Sequence, residues 1–184
     1  CDDGRLFLRR TEQTFDVIMV DTFRGGVVPF HMVSREFFEL ARSRLAPGGC
    51  LVANLHSGSR LFDGVLRTLR SVFDRVDTYQ SPERGNVIAV GVAGPPPAPA
   101  QLDERATALQ GRHRFPYHLR TLLSYRADLE PDPQAAVLVD DFAPAEYLAA
   151  VERHNRALSP AADERVRPTA RAAACLAAKR TSDL

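Results

Sequence analysis

The sequence predicts an α/β fold: a mostly parallel sheet covered by helices, with one antiparallel strand at its end and a helical C-terminal extension. Three observations carry this expectation. Up to residue 94, short apolar runs of strand length alternate with stretches of helical period. The last two strand-like runs, 73–79 and 86–92, are separated by Gln80-Ser-Pro-Glu-Arg-Gly85, a turn-rich connection of hairpin type that reverses the chain. After Gly94-Pro-Pro-Pro-Ala-Pro-Ala100, an extended and semi-rigid punctuation, strand patterning largely gives way to helical patterning.

In chain order, Asp3-Gly4-Arg5 leads directly into an apolar helical stretch, with Asp3 placed to cap it. Phe15-Asp-Val-Ile-Met-Val-Asp21 is a nearly continuous apolar run, the pattern of a strand buried on both faces. Residues 34–45 carry Phe37, Phe38, Leu40, Ala41 and Leu45 at helical spacing, with Ser34 as N-cap and Pro47-Gly48-Gly49 as the stop. Cys50-Leu-Val-Ala-Asn54 reads as a second buried strand. Residues 60–72 again read as helix, with Leu61, Phe62, Val65, Leu66, Leu69 and Val72 on one side. Beyond the punctuation, helices are expected over 102–110, 116–125 and 144–158. A short apolar segment, 135–139, precedes Asp140-Asp141, and an Ala-, Arg- and Pro-rich tail, 159–184, is expected to be disordered or loosely helical. The organisation is therefore a sheet block (1–94), a linker (95–100), a helical extension (101–158) and a tail.

Composition excludes several functions. The 24 basic and 23 acidic residues leave a net charge of +1, which provides no global field for nucleic acid or an anionic membrane. Only one of the basic residues is lysine, Lys179, a skew of the kind codon bias produces. No apolar run reaches the ~18–20 residues of a membrane-spanning helix. Cys1, Cys50 and Cys175 are far apart, which fits a reducing cytoplasm. Neither they nor the histidines show metal-binding spacing, so no metal is expected. The chain begins at Cys1 without a methionine and enters a helix at once, as a C-terminal piece of a longer protein would.

In an open parallel sheet, ligands bind at the carboxyl ends of the strands. Two residues stand there by position: Asp21, ending the first strand, and Asn54, ending the second. The loop after Asp21, with Gly25-Gly26 as a flexible point, is placed to fold over a ligand. Asp3 and Gly4 bring a third candidate group to the same edge. Each has a plainer reading: Asp3 as a helix cap, Asp21 as a turn former, Asn54 and His56 as loop hydrogen-bonders, and Asp140-Asp141 as a polar turn. Phe37 and Phe38 read as core.

Asp3-Gly4-Arg5, Phe15-Asp-Val-Ile-Met-Val-Asp21, Pro29-Phe-His-Met-Val-Ser-Arg-Glu-Phe-Phe38 and Leu45-Ala-Pro-Gly-Gly49 together resemble the second half of the spermidine synthase (polyamine aminopropyltransferase) domain, in its divergent bacterial branch. Val137-Leu-Val-Asp-Asp-Phe-Ala-Pro144 is similar to a segment near the end of those proteins. The resemblance covers about 2–94 well and 101–150 loosely. It implies the C-terminal half of a methyltransferase-like (Rossmann-like) sheet whose first strands and Gly-rich nucleotide loop lie before residue 1. The strand 15–20 would then be central in the intact protein and an unpaired edge in this piece.

The resemblance also implies roles. Asp3 matches the carboxylate that accepts from an adenine amino group, and Gly4 allows close approach. Asn54 is placed with them at the nucleoside. Asp21 matches the catalytic aspartate that takes a proton from the substrate amine as it attacks decarboxylated S-adenosylmethionine. Tyr79 sits where the family can place a tyrosine near the amine. Two positions depart from the pattern: Arg24 stands where the family has a second loop aspartate, and Phe30 where it has a glutamate. Both weaken putrescine as the acceptor, which the resemblance leaves open. A cytoplasmic location, a homodimer and a membrane segment fused upstream of Cys1 are compatible with it. An S-adenosylmethionine-dependent methyltransferase and a non-catalytic domain retaining the scaffold are the alternatives.

Overall fold

A computed structural model describes residues 3–22, 28–80, 85–95 and 97–141. Arg24, Gly25-Gly26, the expected helix 144–158 and the tail lie outside the described residues. Helix α1 (Gly4–Arg10) starts where Asp3 accepts hydrogen bonds from the Arg5 and Leu6 N–H groups at 2.9 and 3.1 Å. Strand β1 (Phe15–Val20) follows. A 3-10 turn (Phe30–Met32) precedes α2 (Arg35–Ser43), which Ser34 caps by accepting from Phe37 N–H at 3.3 Å.

Helix α2 ends before Leu45, earlier than the periodicity predicts, because the backbone there is claimed by the sheet. The Phe15 N–H donates to Arg44 O at 2.8 Å and Phe15 pairs with Leu45. Strand β2 (Leu45–His56) is correspondingly longer than the predicted 50–54. The Pro47-Gly48-Gly49 segment is not a helix stop but an irregularity inside this ladder. Pairing jumps from Phe15↔Leu45 to Val17↔Cys50, so β2 accommodates extra residues opposite β1. Gly48 has φ +78°, a conformation that favours glycine, and a Cβ on Gly49 would lie 2.9 Å from Phe15 O.

Helix α3 (Phe62–Val72), β3 (Val76–Gln80) and β4 (Asn86–Val92) complete the sheet, whose order is β1-β2-β4-β3. Only β1 and β2 pair in parallel; β2–β4 and β3–β4 are antiparallel. The sheet is thus mixed and, by its pairings, mostly antiparallel, which corrects the expectation of a mostly parallel sheet with its reversed strand at the end. The reason is topological. The hairpin return strand β4 inserts between β2 and β3 instead of adding at the edge, so one reversed strand produces two antiparallel pairings.

Buried and less buried residues alternate along β4 and along β2 from Gly49 onward. Ile18, Val20, Leu51, Ala53, Leu55, Val87 and Ala89 are buried, and join Leu8, Phe37, Phe38, Val65, Leu66 and Leu69 in one core. The buried faces of α2 and α3 account for their apolar periodicity; each large side chain so buried contributes about 1.5–3 kcal/mol. The other face carries Met19, 48% exposed, and the half-buried Val17, Val52, Ile88 and Val90.

The remainder is less independent than the pattern suggests. Helix α4 (Pro99–Arg112) uses the end of the proline-rich stretch as its first turn, with Gln101 Oε1 accepting from Ala98 N–H at 2.9 Å, and buries only Ala106. Helix α5 (Leu119–Leu123) is shorter than the predicted 116–125 and has no buried residue. The chain then returns to the sheet. Gln80 N–H donates to Tyr125 O and Ala127 N–H to Thr78 O at 2.8 and 2.9 Å, which covers the β3 edge. The segment 135–139, expected within a helical extension, instead packs on α2 and α3. Leu138 is 2% exposed, and its N–H donates to Thr68 Oγ1 at 2.9 Å.

Gly91 on β4 has no space for a side chain: a Cβ there would lie 2.6 Å from the Phe73 ring. Gly91→Ala is expected to destabilise the protein by about 1–3 kcal/mol through overpacking. A lowered urea unfolding midpoint with an unchanged slope checks this.

Candidate active site

Asp21 follows Val20, the last residue of β1, which pairs with Ala53, and Asn54 Nδ2 donates to Asp21 Oδ1 at 3.0 Å. Asn54 does not end its strand, since β2 runs on to His56. Its orientation is set from the other side, where Asn86 Nδ2 donates to Asn54 Oδ1 at 3.0 Å. An amide whose oxygen accepts from Asn86 must present its NH₂ to Asp21. Asn86 was not singled out from sequence; only the hairpin register brings it to Asn54.

The row continues across the sheet: Asn54 pairs with Ile88, and Ile88 with Tyr79. Directly paired residues share a face, so Asn54, Ile88 and Tyr79 lie on the face away from α2 and α3, where the hydrogen bond from Asn54 brings Asp21 to the same row. Strand spacing puts Tyr79 roughly 10 Å from Asn54 and roughly 14 Å from Asp21, backbone to backbone. Tyr79 and Asp21 are therefore on one surface but not in contact. Burial pushes the Tyr79 phenol up, and the nearby Asp77 carboxylate adds to this, against Arg126 and Arg75. Asp77 is itself held by Arg75 Nε at 2.9 Å and Arg126 Nη2 at 2.8 Å.

Asp3 occupies a second corner. Its Oδ1 caps α1, and its Oδ2 lies 2.9 Å from His31 Nε2. Burial opposes its ionisation, but the Leu6 N–H, the His31 ring and the Arg5 N–H together hold its carboxyl below the usual range. Capping thus accounts for one oxygen. The His31 ring meets the other, and the Asp3 side chain is about one-third exposed. Gly4, the first residue of α1, is buried. The two departures separate: Phe30 is buried in the core, whereas Arg24 lies outside the described residues.

Arg5 is the feature least visible in the sequence. It is 7% exposed, donates through Nη1 to His31 O at 3.0 Å, and forms a two-pronged pair with Asp140, 135 residues away. Ser34 Oγ donates to Asp140 Oδ1 at 2.6 Å. Asp140 is therefore no mere polar turn. The signal that points to it is the apolar segment 135–139 running directly into an acid. Among the described residues, no group of three or more His, Cys, Asp or Glu gathers as a metal site would require. No described helix is long and apolar enough to cross a membrane.

The sheet order, with α1, α2 and α3 contributing to the core on one face, matches methyltransferase-like α/β structures. The structure of human methyltransferase-like protein 13 in complex with SAH matches it with a TM-score of 0.53 at 26% identity, over 63% of this chain and 60% of that one. A probable spermidine synthase from Corynebacterium glutamicum matches with a TM-score of 0.53 at 24% identity, over 77% of this chain and 53% of that one. The polyamine aminopropyltransferase of Vibrio vulnificus is 33% identical over 155 residues, which is 79% of this chain and 51% of that protein. No family model matches the chain. The chain belongs to the spermidine synthase, or polyamine aminopropyltransferase, family. It spans about half, or less, of the length of the curated relatives it matches.

The Asp140 carboxyl is held below the usual range chiefly by hydrogen bonds from Arg5, with Ser34 and the charges of Arg5 and Arg9 assisting against burial. A lowered folded-state value means stability that is complete above the unfolded value of about 3.9 and is lost as pH falls through the folded value. Asp140→Asn is therefore expected to be less stable than the parent at pH 7, with the gap closing below about pH 4. Urea unfolding across pH 2–7 checks this; a gap that widens in acid would contradict it.

Proposed function

We propose that the intact protein transfers an aminopropyl group from decarboxylated S-adenosylmethionine to an amine. The observation that carries this is Asp21: an exposed carboxylate at the carboxyl end of β1, oriented by Asn54, in a chain of this family. An ammonium has no lone pair to attack with, so a base at the reacting nitrogen is the group this chemistry needs. As the amine nitrogen bonds to the propyl carbon, the carbon–sulfur bond breaks. Its electron pair stays on sulfur, which leaves as the neutral thioether methylthioadenosine, and the nitrogen's proton passes to Asp21.

Asn54 serves this reading as an orienting residue for Asp21 more directly than as a nucleoside contact. Asp3 and Gly4 are assigned to the nucleoside, because Asp3 is fixed on a helix end and its side chain is about one-third exposed. Tyr79 lies on the same face, at a distance a substrate chain would have to span, and is assigned to the amine.

Methyl transfer from S-adenosylmethionine is the second reading, favoured by the equal TM-score of the human methyltransferase-like structure. A bound ligand raises the melting temperature in proportion to RT ln(1 + [L]/Kd), so a thermal shift with each nucleoside separates the two. Release of methylthioadenosine is expected with decarboxylated S-adenosylmethionine and at least one of a panel of amines. Asp21→Asn is expected to lower kcat by roughly a hundred- to ten-thousand-fold. Absence of product with every amine, or an undiminished Asp21→Asn variant, overturns the proposal.

A further inference from the structure

We propose that Arg5 and Asp140 are positioning residues: the segment 135–140 is a strap that, through this pair, fixes the Asp3–His31 contact at the edge of the candidate site. What that site binds rests on the functional reading above; the positioning itself does not.

The strap is placed independently of the site. Leu138 is sunk into the core, its N–H donates to Thr68 Oγ1, and its carbonyl accepts from Arg35 N–H at 2.8 Å. Gly64 on α3 leaves it room, since a Cβ there would lie 3.2 Å from both Ala136 O and Leu138. Asp140 N–H donates to Glu36 Oε2 at 3.0 Å. With its backbone so anchored, the strap delivers one carboxylate to Arg5 and Ser34.

Arg5 transmits that placement to two points. Its backbone N–H holds Asp3 Oδ1, and its guanidinium holds the carbonyl of His31, whose ring meets Asp3 Oδ2. Both partners of the Asp3–His31 contact are thus tied to one residue, Asp3 through the Arg5 backbone and His31 through the Arg5 guanidinium. Ser34 Oγ, bonded to the same Asp140 oxygen, caps α2 three residues after His31. A nearly buried guanidinium requires an anionic partner. Glu36 and Asp3 are the other acids whose fields reach Arg5. Without the Asp140 charge, the guanidinium turns to them, and Asp3 is drawn from its place.

The test uses the intact protein with Asp140→Asn, Asp140→Glu and the apolar pair Arg5→Met/Asp140→Leu. Asp140→Asn is expected to raise KM for the sulfonium nucleoside about tenfold, the order of one lost charge-assisted hydrogen bond. Its kcat and its KM for the amine are expected to stay within about twofold of the parent. Asp140→Glu, which keeps the charge, is expected to recover most of the loss. The apolar pair restores folding if Asp140→Asn fails to fold, and is expected to keep the raised nucleoside KM. An unchanged nucleoside KM in Asp140→Asn, or in the apolar pair, overturns the proposal; so does a parallel fall in every kinetic constant.

Amide hydrogen exchange separates this from failure of the functional reading. If the parent turns over no amine, exchange at Leu6 and Val33 still decides whether the strap holds the site. It is expected to quicken about tenfold in Asp140→Asn while core amides such as Leu51 keep theirs. Equal exchange in parent and variant overturns the proposal.

Discussion

The two-residue alternation of β2 is the constraint on which both core and site depend. Leu51, Ala53 and Leu55 face the helices, so Val52 and Asn54 must face away from them. The same parity passes to β1 through Val20↔Ala53 and to β4 through Asn54↔Ile88. It places Asp21 beside Asn54 and puts Tyr79 on their surface. A one-residue slip of β2 would bury Asn54 and expose Leu51 and Leu55 together. The packing energy of the core therefore also holds the catalytic candidates in register. The irregularity at Gly48-Gly49 absorbs the extra residues before the paired run begins at Val17↔Cys50, which keeps the run itself regular.

A second constraint is the burial of Arg5. A guanidinium at 7% exposure cannot shed its charge and must find carboxylate and carbonyl acceptors. It finds them in Asp140 and His31, so a residue of the first helix fixes a residue near the end of the described chain. This explains why 135–140 lies against α2 and α3 although α4 and α5, which precede it, bury almost nothing. The C-terminal block is not one extension: part of it is loosely attached helix, and part is built into the sheet block.

The helices and strands were legible where packing alone decides. The periods of α2 and α3, the Asp3 and Ser34 caps and the buried character of Phe37 and Phe38 appear in the structure as the sequence predicts. Asp21 was legible because strand ends are positions that sequence can locate. What was hidden depends on partners far along the chain. Insertion of β4 beside β2 follows from pairing, not from composition, and with it the antiparallel character of the sheet and the Asn86–Asn54 bond. The early end of α2 depends on Phe15 pairing with Leu45. Arg5 and Asp140 look like ordinary surface charges until the fold brings them together across 135 residues.

The two acidic candidates differ in surroundings, and the difference bears on what each is suited to do. Asp3 has both oxygens engaged, by two backbone N–H groups at a helix start and by an imidazole. Donors so fixed favour the ionised form and a set orientation, which suits a carboxylate that accepts a hydrogen bond from a ligand and keeps its charge throughout. Asp21 is exposed, stands beyond the end of its strand, and receives a single amide hydrogen bond from Asn54. Its exposure leaves Asp21 open to an approaching amine, whereas the donors on Asp3 fix that carboxylate in one orientation. The division follows from geometry that the alternation of β2 and the burial of Arg5 impose.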